Sequence, residues 1–253
     1  MVAMLEGRCR VVSLREGAPT RNGALLVWKH FGLAAGAQAI SLRVLELPSG
    51  SGTSLQNETE DEVLYVMAGS GSAAVAGSIY ELAPDKGVYL PPQTSLEMFA
   101  EESLTIVSSQ CPDDGISLED GGNSRYEPGQ AADGVPLVVS MHDRPVQRTG
   151  DRWYREVINA DCGSSQVTQF VGSIPPGRAP DHFHQYEEVI CILEGSGVMW
   201  AGSSHTPIET GSCIFLPRGQ VHCLENRGEG EMRLLGVFYP AGSPAVRYPA
   251  SND

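Results

Sequence analysis

Residues 181–197 read DHFHQYEEVICILEGSG. Two histidines stand one residue apart, a glutamate follows, and the apolar run VICIL leads into a glycine turn. On a strand, residues i and i+2 share a face, so His182 and His184 can turn both imidazoles to one side. Glu188 lies a further even step along and can join them. A fourth group has to come from elsewhere, and residues 211–226, GSCIFLPRGQVHCLEN, offer His222. The turn PRGQ reverses the chain ahead of it, so a neighbouring strand can carry His222 beside the other three.

The surrounding sequence has little helical periodicity. Short β-branched and aromatic runs alternate with clusters of Gly, Pro, Asn, Asp and Ser, and the 29 Gly and 17 Pro supply many turns. The chain therefore reads as all-β. In the second half, strands are expected near 152–158, 166–173, 181–184, 187–193, 197–200, 205–208, 213–216, 220–224 and 231–238. Strands this short and closely spaced suggest a jelly roll or small barrel.

The first half repeats the pattern. Residues 54–71, SLQNETEDEVLYVMAGSG, align with 180–197 at a shift of 126, which sets Glu62 on Glu188, Gly69 on Gly195 and Leu90-Pro91 on Leu216-Pro217. The same shift sets Trp28 on Tyr154. A period this long implies two copies of a whole domain. The expected units are 1–115 and 137–253, with a polar linker, rich in Gly, Asp and Pro, at 116–136. By this shift Gln56, Glu58 and Leu96 replace His182, His184 and His222, and only the glutamate survives. Glu58 and Glu62 could alternatively form a separate acidic site.

The second half spells H-x-H-x3-E-x6-G from His182 to Gly195 and G-x5-P-x-G-x2-H-x3-N from Gly211 to Asn226. These resemble the two motifs of the cupin superfamily. One departure is that four residues separate Gly177 from His182, where the family pattern has five. The resemblance extends to the whole chain as a bicupin: two tandem jelly-roll barrels, the first with a degenerate metal motif. It implies His182, His184, Glu188 and His222 as ligands of one divalent transition metal per chain, and this donor set suits Fe, Mn, Ni, Co or Zn.

Three functions are compatible with that resemblance. One is dioxygenase-type oxidation of a small metabolite with adjacent oxygens, such as an enediol, a diketone or a keto acid. Another is non-oxidative isomerase, lyase or hydrolase chemistry with the metal as Lewis acid. Within it, the layout also resembles the ureidoglycine aminohydrolase group, whose ligand motif opens with Glu where this chain has His182. The third is small-molecule binding without turnover. An acid/base beside the metal would come from Tyr154, Arg155, Glu156 or Gln169, of which strand parity admits only some. Val198 and Trp200 share a face and read as core or pocket wall, and Cys213 could line the pocket.

A net charge of −14 argues against nucleic acid and anionic membranes as partners. No apolar run approaches a membrane span, and no export signal opens the chain. A cytoplasmic location with six reduced cysteines is therefore expected. The partner is a small molecule, and homodimerisation is left open.

Overall fold

The computed structural model describes residues 2–112, 136–246 and 248–249. Most of the linker expected at 116–136 falls outside the described residues. Regular structure is nearly all strand, with four short 3-10 turns. All nine strands expected in the second half form, with ends shifted by up to two residues.

Each half closes one large sheet against one small sheet. The first half uses a seven-stranded and a four-stranded sheet, the second an eight-stranded and a six-stranded one. The fold is thus two tandem jelly-roll barrels. The second barrel's interior is filled by one core cluster, including Phe170, Ile190, Ile192, Met199, Leu224 and Phe238. A second cluster fills the first barrel and continues into the seam between barrels, where it takes in Val189, Cys191, Cys213, Phe215, Leu235 and Val237. Strand alternation explains this split: Ile190 and Ile192 of the VICIL run point into their own barrel, while Val189 and Cys191 face the other.

The barrels also exchange edge strands. The N-terminal strand Arg10–Ser13 pairs with Ser212–Leu216 of the second barrel, Val11 opposite Ile214. Reciprocally, Val138–Ser140 pairs with Lys86–Leu90 of the first, Val138 opposite Val88. Each arm covers an edge that would otherwise expose unpaired backbone groups. Polar ties cross the same seam. Glu187 accepts hydrogen bonds from the Gln38 and Ala39 amides at 2.8–2.9 Å, and Arg233 pairs with Asp85 at 3.2 Å.

Sheet register refines the internal alignment. Glu62 pairs with Leu90 as Glu188 pairs with Leu216, so the shift of 126 holds there. It does not hold on the flanking strands. Following the ladders outward from these glutamates, Ser108 takes the place of Gly236 and Arg43 that of Phe170. Trp28 then corresponds to Arg155 rather than Tyr154. Leu55 faces Leu96 where His182 faces His222, so Leu55, not Gln56, occupies the first histidine's place. Single-residue slips in the connecting turns, invisible to a gapless alignment, cause these differences.

Candidate metal centre

His182 and His184 lie on and just after the short strand His182–Phe183. His222 opens the strand His222–Asn226 and pairs directly with His182. The turn at Pro217 to Gln220 sets this register: Gly219, at φ +77°, donates its amide to the His184 carbonyl at 2.8 Å. A left-handed residue here favours glycine.

One nitrogen from each of the three imidazoles falls within 4.8 Å of the others. Their ring centroids are 4.5–5.2 Å apart. Nδ1 of His182 lies 3.0 Å from the Pro180 carbonyl and Nδ1 of His222 lies 2.8 Å from that of Gln220. Those bonds place the proton on Nδ1 and leave the Nε2 lone pair for the centre of the cluster. Glu188 approaches from the wall, its Oε2 3.6 Å from His184 Nε2. Tyr186 stacks between His184 and Phe238, at centroid distances of 4.7 and 4.3 Å, and holds the His184 ring in plane.

Burial sets the electrostatics. Desolvation pushes the Glu188 carboxyl up to about 8. Desolvation, with the neighbouring His182 next in effect, pushes His222 down to about 3 against the opposing pull of the Gln220 carbonyl. Two buried imidazoles and a half-buried one beside a carboxyl are a good match for a divalent cation, which takes neutral imidazole and carboxylate as ligands. The donor set and its orientation therefore fit the metal implied by the sequence motif.

The cluster opens onto a cavity of about 100 Å³. Its walls are largely apolar, with Phe170, Ile174, Ile190, Leu224 and Leu234. Of the candidate acid/base residues, Tyr154 lines it and hydrogen-bonds Gln147 at 2.8 Å and Ser243 at 3.2 Å. Arg155 and Gln169 do not line it. Strand parity turns Arg155 away to the carbonyls of Met141, His142 and Arg144 at 2.9–3.2 Å. Gln169 is fully buried on the seam side, where a Cβ on Gly87 would lie 2.8 Å from its Oε1. Glu156 is held by Asn159 at 3.0 Å and is likewise absent from the lining.

Other expectations change as well. Met199, not Val198 or Trp200, enters the barrel. Trp200 lies outside, under the Arg178 guanidinium at 4.2 Å and stacked on His205. Cys213 sits in the seam, and all six cysteines are buried and form no disulfide. The sequence reading missed Tyr186, Arg152 and the tail residue Pro244 as lining residues. The first two follow from parity with His184 and Tyr154, whereas Pro244 carries no local signal.

In the first barrel the same position is closed. Glu62 is fully buried and accepts hydrogen bonds from Arg43, Ser108 and, at 2.7 Å, Asn57. Glu58 is exposed, so Glu58 and Glu62 do not form a joint acidic site.

A cupin-domain family model matches residues 170–238, a span that contains all four candidate ligands. Auxin-binding protein 1 of Arabidopsis thaliana is 27% identical over 118 residues, 42% of this chain and 60% of that protein. The oxalate-binding protein of Thermotoga maritima is 34% identical over 67 residues, 26% of this chain and 55% of that protein. These matches therefore span about 60% or less of the relatives' own lengths. Among solved structures, protein Ylba of E. coli superposes with a TM-score of 0.73 at 14% identity, over 97% of this chain and 96% of that one. Bacillus subtilis oxalate decarboxylase superposes with a TM-score of 0.72 at 13% identity, over 92% and 77%. The second half thus carries a cupin domain, and the whole chain shares a two-barrel fold with these structures.

Proposed function

We propose that the chain is a bicupin whose second barrel binds one divalent transition metal through His182, His184, Glu188 and His222, and acts as a metal-dependent enzyme on a small oxygenated metabolite. The carrying observation is the convergence of three imidazoles and a carboxylate at one end of an apolar-walled cavity. A bound metal would supply Lewis acidity and, if iron, a site for oxygen. The protein's own part is to orient the imidazoles through Pro180 and Gln220, exclude water with Phe170 and Leu234, and place the Tyr154 hydroxyl beside the ligand.

We favour dioxygenase-type chemistry on an enediol, diketone or keto acid. Beyond the four ligands, the cavity holds no carboxylate, lysine or histidine among the described residues to serve as a separate base. Proton-shuttling chemistry would have to rest on Tyr154 or Tyr186. A binding-only reading is supported by the relatives named for binding auxin and oxalate.

Elemental analysis of protein purified anaerobically, without a metal affinity column, tests these readings. One iron per chain with substrate-dependent oxygen uptake is expected. One zinc, manganese or nickel with no oxygen uptake would move the function to Lewis-acid chemistry or binding. No metal after reconstitution would end the metal reading.

A further inference from the structure

The segment ahead of the first barrel reaches the histidine-bearing loops of the second. Leu5 and Cys9 are buried in the second barrel's core, and the 3-10 turn Glu6–Arg8 between them meets two of its loops. One is the hairpin at Gly202 and Ser203. There the Glu6 carboxylate accepts hydrogen bonds from the Ser203 amide at 2.9 Å and the Ser203 hydroxyl at 2.8 Å. It fits because Gly202, at φ +56°, carries no side chain: a Cβ would overlap the carboxylate. The other loop is the turn at Pro217 to Gln220. Gly7, at φ +67°, packs so closely on it that a Cβ would overlap Gln220 Oε1. A left-handed position without room for a side chain calls for glycine.

The two loops are tied to each other and to the ligands. The Val221 carbonyl accepts from the Gly202 amide at 2.9 Å and from Gln220 Nε2 at 2.8 Å. The Gly219 amide holds the His184 carbonyl, and the Gln220 carbonyl holds His222 Nδ1, each at 2.8 Å. His222 also stands opposite Ala201, which immediately precedes Gly202. Displacing Gln220 or the hairpin therefore moves the groups that fix the His222 ring and its tautomer.

We propose that Glu6 and Gly7 are positioning residues of the metal centre. Glu6 clamps the hairpin, Gly7 admits the Gln220 side chain, and together they set the Gln220 carbonyl that orients His222. This rests on the metal reading above. Neither residue is a ligand, so the effect falls on ligand geometry and not on ligand number. Loss of an outer-shell partner of this kind costs about 10- to 100-fold in metal affinity.

Competition titration of the full-length apoprotein with cobalt(II) against a chromophoric chelator tests this, together with the visible spectrum of the bound cobalt. Gly7→Ala is expected to weaken cobalt binding at least about tenfold and to shift the visible bands. Adding Gln220→Ala to that variant removes the side chain that the new Cβ meets, and should recover most of the affinity. Glu6→Gln weakens the clamp without backbone strain and should move affinity and spectrum the same way by a smaller factor. Gly17→Ala is the control: Gly17 is also left-handed, at φ +80°, but has nothing within 4 Å of its Cβ position. It should match wild type in both readouts. Wild-type affinity and spectrum in both Gly7→Ala and Glu6→Gln would overturn the proposal. So would a loss that Gln220→Ala does not relieve, or one that Gly17→Ala reproduces, since each would mark general destabilisation. Failure of the metal reading itself would show differently, as wild-type protein that takes up no cobalt.

Discussion

Glu188 faces Phe170 across Gly236, where a Cβ would lie 2.3 Å from the ring. Glu62 faces Arg43 and Ser108 from the corresponding strands. The same carboxylate is left available in one barrel and engaged in the other by Arg43, Ser108 and Asn57. Arg43 thus supplies a counter-charge to Glu62 from the place that Phe170 takes beside Glu188. Opposite outcomes are expected on substitution. Glu188→Gln should weaken metal binding by at least 10- to 100-fold, more than loss of an outer-shell partner costs. Glu62→Gln should leave metal content at the wild-type value but lower unfolding free energy by about 3 kcal/mol, because it strands a largely buried guanidinium, 16% exposed. Metal analysis and denaturant unfolding of both variants check this. Metal loss from Glu62→Gln would contradict the one-site assignment.

Strands and turns set which of these residues meet. The H-x-H spacing and the PRGQ turn were legible in the sequence because period-two alternation and a glycine turn act locally. They place His182 against His222 in the structure. What local pattern does not encode is partner choice between distant strands. Parity alone did not show that Arg155 and Gln169 face the seam while Tyr154 faces the cavity. Nor did the polar, Pro-rich tail announce a strand at Tyr248–Pro249 paired with His182 and Phe183, or Ser243 bonded to Tyr154. The N-terminal arm is a similar case. Val11 sits in the second barrel's core at 3% exposure, 171 residues from His182 in sequence. Val11→Asp should therefore cost about 3 kcal/mol or more and lower the temperature of metal release, followed with a metallochromic dye. Unchanged release would mean that the arm does not support the metal barrel.

At the scale of the whole molecule, the seam behaves as core rather than as contact between finished domains. Asp85 sits there with Tyr65 at 2.6 Å, Arg233 at 3.2 Å and His142 at 3.3 Å. Burial opposes its ionisation, but the Tyr65 hydrogen bond and the Arg233 charge outweigh that and hold the carboxyl below its usual value. A depressed folded-state value makes the contribution present above the unfolded value, about 3.9, and lost as pH falls through the folded one. Asp85→Asn should thus melt below wild type at pH 7, with the gap closing as pH falls below the unfolded value. A gap independent of pH would show that the charge is not what ties the barrels.

Reciprocal arms carry that dependence further. A fragment of residues 137–253 would lack the strand Arg10–Ser13 and expose Val189, Cys191, Phe215 and Val237, which the first barrel covers. A fragment of residues 1–112 would lack Val138–Ser140 on its own sheet edge. An open edge beside a bared apolar face favours aggregation over a folded monomer. Alone, the second-half fragment should aggregate or hold well under one metal per chain, although it contains all four ligands. Coexpressed fragments should recover a 1:1 complex with metal, since each returns the other's missing strand. Sedimentation and metal analysis decide the matter: a monomeric, fully metallated 137–253 fragment would show that the second barrel is complete without the first, and the exchange would then be packing rather than a condition for the site.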